Sequence, residues 1–206
     1  MKEKKETNRV CVRFARPEDA AAALDVYAEY IDTPITFEYD LPGEEEFAAR
    51  IREFSSFYPY LVCEKDGRIA GFAYAHRHAQ RAAYQWNAEL TIYLGSAISG
   101  RGAGKILYRA LMEILKQQGI HTVYGVVTAG NERSEALHRE MGFRELGVFF
   151  KTGYKNGSWL DVVWFEKELL AYEKNPAPPR SIGQAGEEAC REILERANRE
   201  LLAAFS

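Results

Sequence analysis

The chain has 206 residues, 47% hydrophobic and 28% charged, which suits one sizeable core rather than two. Its 27 Lys and Arg against 30 Asp and Glu leave a net charge of −3, which speaks against a nucleic-acid partner, because neutralising phosphates takes a basic face. No apolar run approaches the roughly 18 residues of a membrane span, and the charged start MKEKKETNRV has no apolar region behind it, so neither membrane nor leader is expected.

Residues 1–8 read as a disordered N-terminus, and Val10 to Ala15 alternates as a first strand. Arg16-Pro17-Glu18-Asp19 opens a helix, with proline and acids in its first turn, and its apolar face is Ala20, Ala23, Leu24, Tyr27, Ala28 and Ile31. Asp32-Thr33-Pro34 stops it, Ile35-Thr36-Phe37 is irregular, and Pro42-Gly43 leads into a second helix from Glu44 to roughly Phe54. Tyr60–Glu64 and Arg68–Ala75 are strands joined by the hairpin turn Asp66-Gly67. After a loop around Arg77 to Ala82 comes a buried strand, Glu89 to Leu94, and then a helix from Gly104 to Gln118. His121–Thr128 is another buried strand, and Asn131 opens a short helix that Gly142 closes. Phe143–Phe150 and Ser158–Glu168 are strands linked through Asn156-Gly157. The order is β-α-α-β-β-β-α-β-α-β-β, an α/β chain with a mixed sheet and helices on its faces. Asn175-Pro176-Ala177-Pro178-Pro179-Arg180 reads as linker, and Glu187–Phe205 as one more amphipathic helix. The expected division is a domain over 9–170, a linker over 171–186 and a C-terminal helix over 187–206. Three scattered cysteines, Cys11, Cys63 and Cys190, read as free thiols in a reducing, cytoplasmic compartment.

Ser99-Gly100-Arg101-Gly102-Ala103-Gly104-Lys105 lies between the buried strand and the helix that follows it. Alternate glycines let backbone approach a bulky ligand and expose consecutive N–H groups, and a helix start favours an anion there. The spacing fits neither a P-loop, since Ile106 follows Lys105, nor the dinucleotide fingerprint, which needs glycine at position 105. It fits Arg/Gln-x-x-Gly-x-Gly/Ala over Ser99 to Gly104. That pattern resembles the acetyl-CoA pyrophosphate loop of the GCN5-related N-acetyltransferase (GNAT) family, with Ser99 where the family usually has Arg or Gln.

From about Val10 to Lys167 the chain resembles the phosphinothricin/methionine-sulfoximine branch of that family. Five places carry the resemblance: Ile35-Thr36-Phe37-Glu38, Tyr58-Pro59-Tyr60-Leu61-Val62, Arg81-Ala82-Ala83-Tyr84-Gln85-Trp86, Asn131 with Ala136 to Phe143, and Gly153 to Val162. It implies the GNAT fold, with the C-terminal helix as an addition. It implies acetyl-CoA as co-substrate without a metal, and a homodimer. The acceptor it implies is the amine of a small amino-acid-like molecule such as phosphinothricin or methionine sulfoximine.

Acetyl transfer to an amine needs a neutral nucleophile, a polarised thioester carbonyl and a protonated leaving thiol. By resemblance Glu89 takes the place of the general base; the plainer reading is a strand carboxylate paired with an arginine. His138 takes the place of the group that protonates the thiol; the plainer reading is a histidine hydrogen-bonded in its helix. Gly100, Arg101, Gly102, Ala103, Gly104 and Lys105 would hold the pyrophosphate. Ile92, Tyr93 and Leu94 would lend backbone groups to the pantetheine arm, and Asn131 matches another contact to it while also being an ordinary helix cap. Phe37, Tyr74, Tyr84 and Trp86 could wall an acceptor pocket, although aromatics at such spacing are more often core, and Arg81 suits a carboxylate or phosphinate there. His76 and His78 share a strand face with no acid or cysteine nearby in sequence, so they read as structural. A second class stays open at this point: an acyl-CoA-sensing or partner-binding module with little turnover. The tail from 181 to 206 lies beyond the last motif residue, Asp161, and is expected to be dispensable for chemistry.

Overall fold

A computed structural model describes residues 9–206, so the expected disordered stretch at 1–8 lies outside the described residues. Seven strands form one sheet: β1 (Val10–Phe14), β2 (Tyr60–Lys65), β3 (Arg68–Arg77), β4 (Asn87–Leu94), β5 (Thr122–Thr128), β6 (Arg144–Lys155) and β7 (Ser158–Glu168). Their spatial order is β1-β2-β3-β4-β5-β7-β6, with β4 and β5 parallel and the other neighbours antiparallel. The two hairpin turns form where Asp-Gly and Asn-Gly predict them: Asp66 and Gly67 take φ of 53° and 78°, and Asn156 and Gly157 take 51° and 76°.

Helices α1 (Ala20–Ile31) and α2 (Glu44–Ser55) cover one face, sharing a core with Tyr60, Val62 and Phe72. The other face carries α3 (Ala103–Gln118), α4 (Glu132–Glu140) and α5 (Glu187–Phe205). Because both faces are covered, β2 opens with four buried residues in succession, Tyr60 to Cys63, instead of alternating.

The C-terminal helix does not hang off the domain. Its Cys190, Ile193, Ala197, Leu201 and Phe205 join the main core against α3 and β1. Asn198 accepts the Val12 N–H at 2.6 Å and donates to the Val12 carbonyl at 3.2 Å, standing in for a neighbouring strand at the sheet edge. Burying Leu201 and Phe205 alone is worth about 1.5–3 kcal/mol each, a large share of a typical 5–15 kcal/mol total. This packing argues against the expectation that residues 181–206 can be removed.

Candidate active site

β4 and β5 pair from Asn87↔Thr122 to Leu90↔Gly125. Beyond that point β7 stays with β5 as far as Thr128↔Val162, while β4 stays with β3 as far as Gly71↔Leu94, so the two parallel strands part. The opening is a cavity of about 290 Å³ walled by Leu90 to Leu94 on one side and Val126 to Thr128 on the other. Tyr30, Ser99, Asn131, Arg133, Leu137 and His138 also line it.

Parting leaves backbone groups on the inner edge of β4. The Tyr30 hydroxyl donates to the Leu94 carbonyl at 2.6 Å and accepts the Leu94 N–H at 3.3 Å. By the period-two alternation of a strand, Ile92 turns its N–H and C=O to the same side, whereas Tyr93 faces β3 opposite Phe72. Ile92 and Leu94 therefore both face the cleft, and because Tyr30 occupies the groups of Leu94, Ile92 is the one whose backbone is left open.

The glycine-rich loop runs directly into α3. Gly100 and Gly102 have φ of 77° and 85°, the left-handed region that side chains avoid, and Gly102 is the N-cap of α3. The N–H groups of Ala103 and Gly104 fall in the first turn, where a helix supplies no partner of its own. Lys105 is ion-paired with Glu140 of α4.

Glu89 and His138 stand on opposite faces of the sheet at the point of parting. Glu89 pairs in register with His76. His78 contacts Glu89 Oε1 through Nδ1 at 2.9 Å, and His76 Nε2 lies 3.9 Å from Oε2. The partner of the carboxylate is thus a histidine pair and not an arginine, and the acid that the sequence did not supply to His76 and His78 is Glu89 itself. His78 stacks on Tyr124 at 4.4 Å and meets Tyr84 edge-on at 6.1 Å, which brings the 79–86 loop to the carboxylate. His76 stacks on Phe54 of α2.

His138 is buried among Tyr108, Phe143 and Phe165. Its Nδ1 lies 2.7 Å from the Ser134 carbonyl, so that nitrogen carries the hydrogen. Burial pushes the imidazole pKa below its usual value, the Ser134 bond opposing, and Nε2 has no partner among the described residues. A Cβ at position 125 would collide with Nε2, so Gly125, the last residue of β5 paired with β4, is what lets the ring reach the point of parting.

The acceptor-side residues are distributed. Tyr74 lies in an aromatic column, stacked on Tyr60 at 4.7 Å and Phe54 at 5.2 Å, and burial pushes its hydroxyl up to about 12. Phe37 lies against Gly153 of β6, where a Cβ would strike its ring. The loop that carries Phe37 is pinned by Lys155, 3% exposed, whose ammonium donates to the Ile31 and Thr36 carbonyls at 2.6 and 2.7 Å. Arg81 and Tyr84 are both exposed, at the start and end of the short 3-10 turn after β3. Asn131 caps α4, accepting the Ser134 N–H at 3.3 Å, and also lines the cavity. Sequence reasoning missed Tyr30, Gly125 and Arg133; only the glycine inside an apolar strand carried a signal.

A mixed sheet parted between two parallel strands, with a glycine loop feeding a helix beside the gap, suits a ligand with a polar arm and an anionic end. Residues 12–164 match the family model described as "Acetyltransferase (GNAT) domain", and the chain belongs to that family. It is 33% identical over 178 residues to phosphinothricin N-acetyltransferase of Streptomyces viridochromogenes, covering 86% of this chain and 95% of that one. It is 29% identical to an L-methionine sulfoximine/L-methionine sulfone acetyltransferase of Pseudomonas paraeruginosa, over 77% of this chain and 94% of the relative. A phosphinothricin acetyltransferase from Sinorhizobium meliloti, solved with acetyl-CoA, superposes with a TM-score of 0.76 at 28% identity, covering 84% of this chain and 98% of that one. The protein is a GNAT acetyltransferase of the phosphinothricin-acetyltransferase type.

Proposed function

We propose that the enzyme transfers acetyl from acetyl-CoA to the amine of a small amino-acid-like acceptor of the phosphinothricin or methionine-sulfoximine type, by direct attack across the gap between β4 and β5. The observation that carries this reading is the placement of a carboxylate, Glu89, on one face of the parted sheet and the glycine loop with its helix start on the other. The chain's residues fit the donor: the unpaired edge of Ile92, the first-turn amides of Ala103 and Gly104, and the cavity between the strands all suit a polar arm ending in a pyrophosphate. When bound, acetyl-CoA supplies the activated acetyl group as a thioester. No metal is used in this reading.

Glu89 is proposed to take the proton from the attacking amine. His78 keeps the carboxylate in place through its Nδ1–H on Oε1, while His76 Nε2, at 3.9 Å from Oε2, is too far to take up that oxygen by a hydrogen bond. His138 is proposed to serve the departing sulfur. Held neutral by burial, with Nδ1–H given to Ser134, it presents Nε2 as an acceptor. It takes the second proton that the nitrogen sheds after attack and passes it to the sulfur as the C–S bond breaks, while the proton on Glu89 goes to solvent. Gly100 to Lys105 hold the pyrophosphate, Ile92 and Asn131 the pantetheine arm. Phe37, Tyr84 and Arg81 border the acceptor, with Arg81 aimed at an anionic oxygen group.

Two further points belong to this reading. Phe149, Phe150, Tyr154 and Trp159 of the β6–β7 ribbon are exposed large apolar side chains, which supports a homodimer through that ribbon; a monomer in sedimentation would remove it. The buried free thiols Cys63 and Cys190 support a reducing, cytoplasmic setting. Thiol release from acetyl-CoA tests the activity itself. Turnover with phosphinothricin or methionine sulfoximine is expected, and binding of CoA without turnover for any amine would defeat the proposal.

A further inference from the structure

The seat of Arg101, in the middle of the glycine loop, is made by the far end of the chain. α5 runs along α3, fastened by Arg109–Glu200 at 2.6 Å and by the Arg196–Glu113 pair. Its last turn places Phe205, 1% exposed, beneath the Arg101 guanidinium, 4.7 Å from the ring centroid. The other cation of the loop, Lys105, is neutralised by Glu140, and position 99 is serine. Among the described residues, Arg101 is then the loop cation without a carboxylate partner. A guanidinium seated over a ring is held without spending its N–H donors and loses little freedom on meeting a phosphate.

We propose that the C-terminal helix is a working part of the cofactor site, with Phe205 as the positioning residue that holds Arg101 ready for the pyrophosphate of CoA. This rests on the reading that the pyrophosphate lies on the Ser99–Lys105 loop. The matched domain ends at residue 164 and α5 begins at Glu187, so the device comes from a segment outside the family's domain. It steadies, from elsewhere in the chain, the loop's own cation at a site where position 99 is serine.

The full-length enzyme tests this with two donors, acetyl-CoA and S-acetylpantetheine, which share the thioester arm and differ in the pyrophosphate. Phe205→Leu keeps an apolar side chain in the core but removes the aromatic face. It is expected to lower kcat/KM for acetyl-CoA roughly three- to tenfold, the reach of a cation–π contact, and for S-acetylpantetheine less than twofold. In an Arg101→Ala background the same change is expected to add nothing. Should Phe205→Leu fold poorly, Arg101→Ala alone, a change at an exposed side chain, carries the test through the same selective loss. Equal loss with both donors, or an undiminished Phe205 effect without Arg101, would overturn the proposal and leave Phe205 as core alone. An unmodified enzyme that used both donors equally well would overturn the loop reading beneath it, and that failure shows before any substitution is made.

Discussion

The side of the gap that faces α3 and α4 is made largely of backbone, whereas the side that faces α1 and α2 is made of side chains. On the first side stand the strand edge of Ile92, the amides at the start of α3 and two glycines with positive φ, all drawn from the short run between β4 and α3. On the second stand Glu89 from β4, His78 from just past the end of β3, Tyr84 and Arg81 from the loop that follows, and Phe37 from the α1–α2 connection, held by Lys155. A site made of backbone tolerates side-chain change and is broken by added bulk or strain. A site made of side chains is broken by loss of a charge or a hydrogen bond. The first suits a donor shared by a whole family, and the second suits an acceptor that differs from member to member.

Crossed substitutions test whether the two sides work independently. On the acceptor side, Arg81→Ala is expected to cost about 1.5–3 kcal/mol, or roughly 10- to 150-fold, in KM for an acidic acceptor, with acetyl-CoA affinity and a neutral amine of similar size little changed. Gly102→Val forces a β-branched residue to a φ of 85° and should weaken acetyl-CoA binding about 10- to 100-fold while sparing the acceptor KM. Steady-state kinetics with each substrate varied in turn separate the two. If either variant damages both constants alike, the two sides are not independent.

A smaller effect sharpens the picture of the buried imidazole. Burial lowers the pKa of His138 in the folded protein relative to the unfolded chain, where it is near 6.5. Its contribution is fully present above about pH 6.5, because the unfolded chain takes up the proton first as pH falls. Stability should then decline below that value by up to about 1.4 kcal/mol per pH unit from this one group. Urea unfolding at a series of pH values should show a shallower acid slope for His138→Gln than for the unsubstituted protein, and an unchanged slope would show the ring to be readily protonated where it lies.

Much of this was legible in the sequence, and for local reasons. Asp66-Gly67 and Asn156-Gly157 specify their turns by backbone conformation alone, and the apolar spacing of Ile106, Leu107, Leu111 and Leu115 marks α3 and its buried face. What the sequence hid was non-local. His78 lies 11 residues from Glu89 along the chain, and only the register of β3 against β4 makes them neighbours. The amphipathic pattern of α5 is the same whether it covers its own domain or a second one, so the docking of Leu201 and Phe205 needed the fold. β6 runs on to Lys155, past the Phe150 at which its apolar pattern fades, because it stays paired with β7 across an irregular register between Phe149 and Gly153. Tyr74, one of four aromatics that could have walled a pocket, belongs to a stacked column, a distinction that spacing does not draw.

In this mechanism the carboxylate on the α1/α2 face serves the acceptor while the donor is held elsewhere. Single-turnover acetylation of phosphinothricin by Glu89→Gln, with acetyl-CoA affinity measured on the same sample, tests it directly. The proposed mechanism predicts donor affinity within about twofold of the unsubstituted enzyme and a transfer rate lower by about 10²-fold or more. A near-normal rate, or a loss that disappears once acetyl-CoA is saturating, would contradict it.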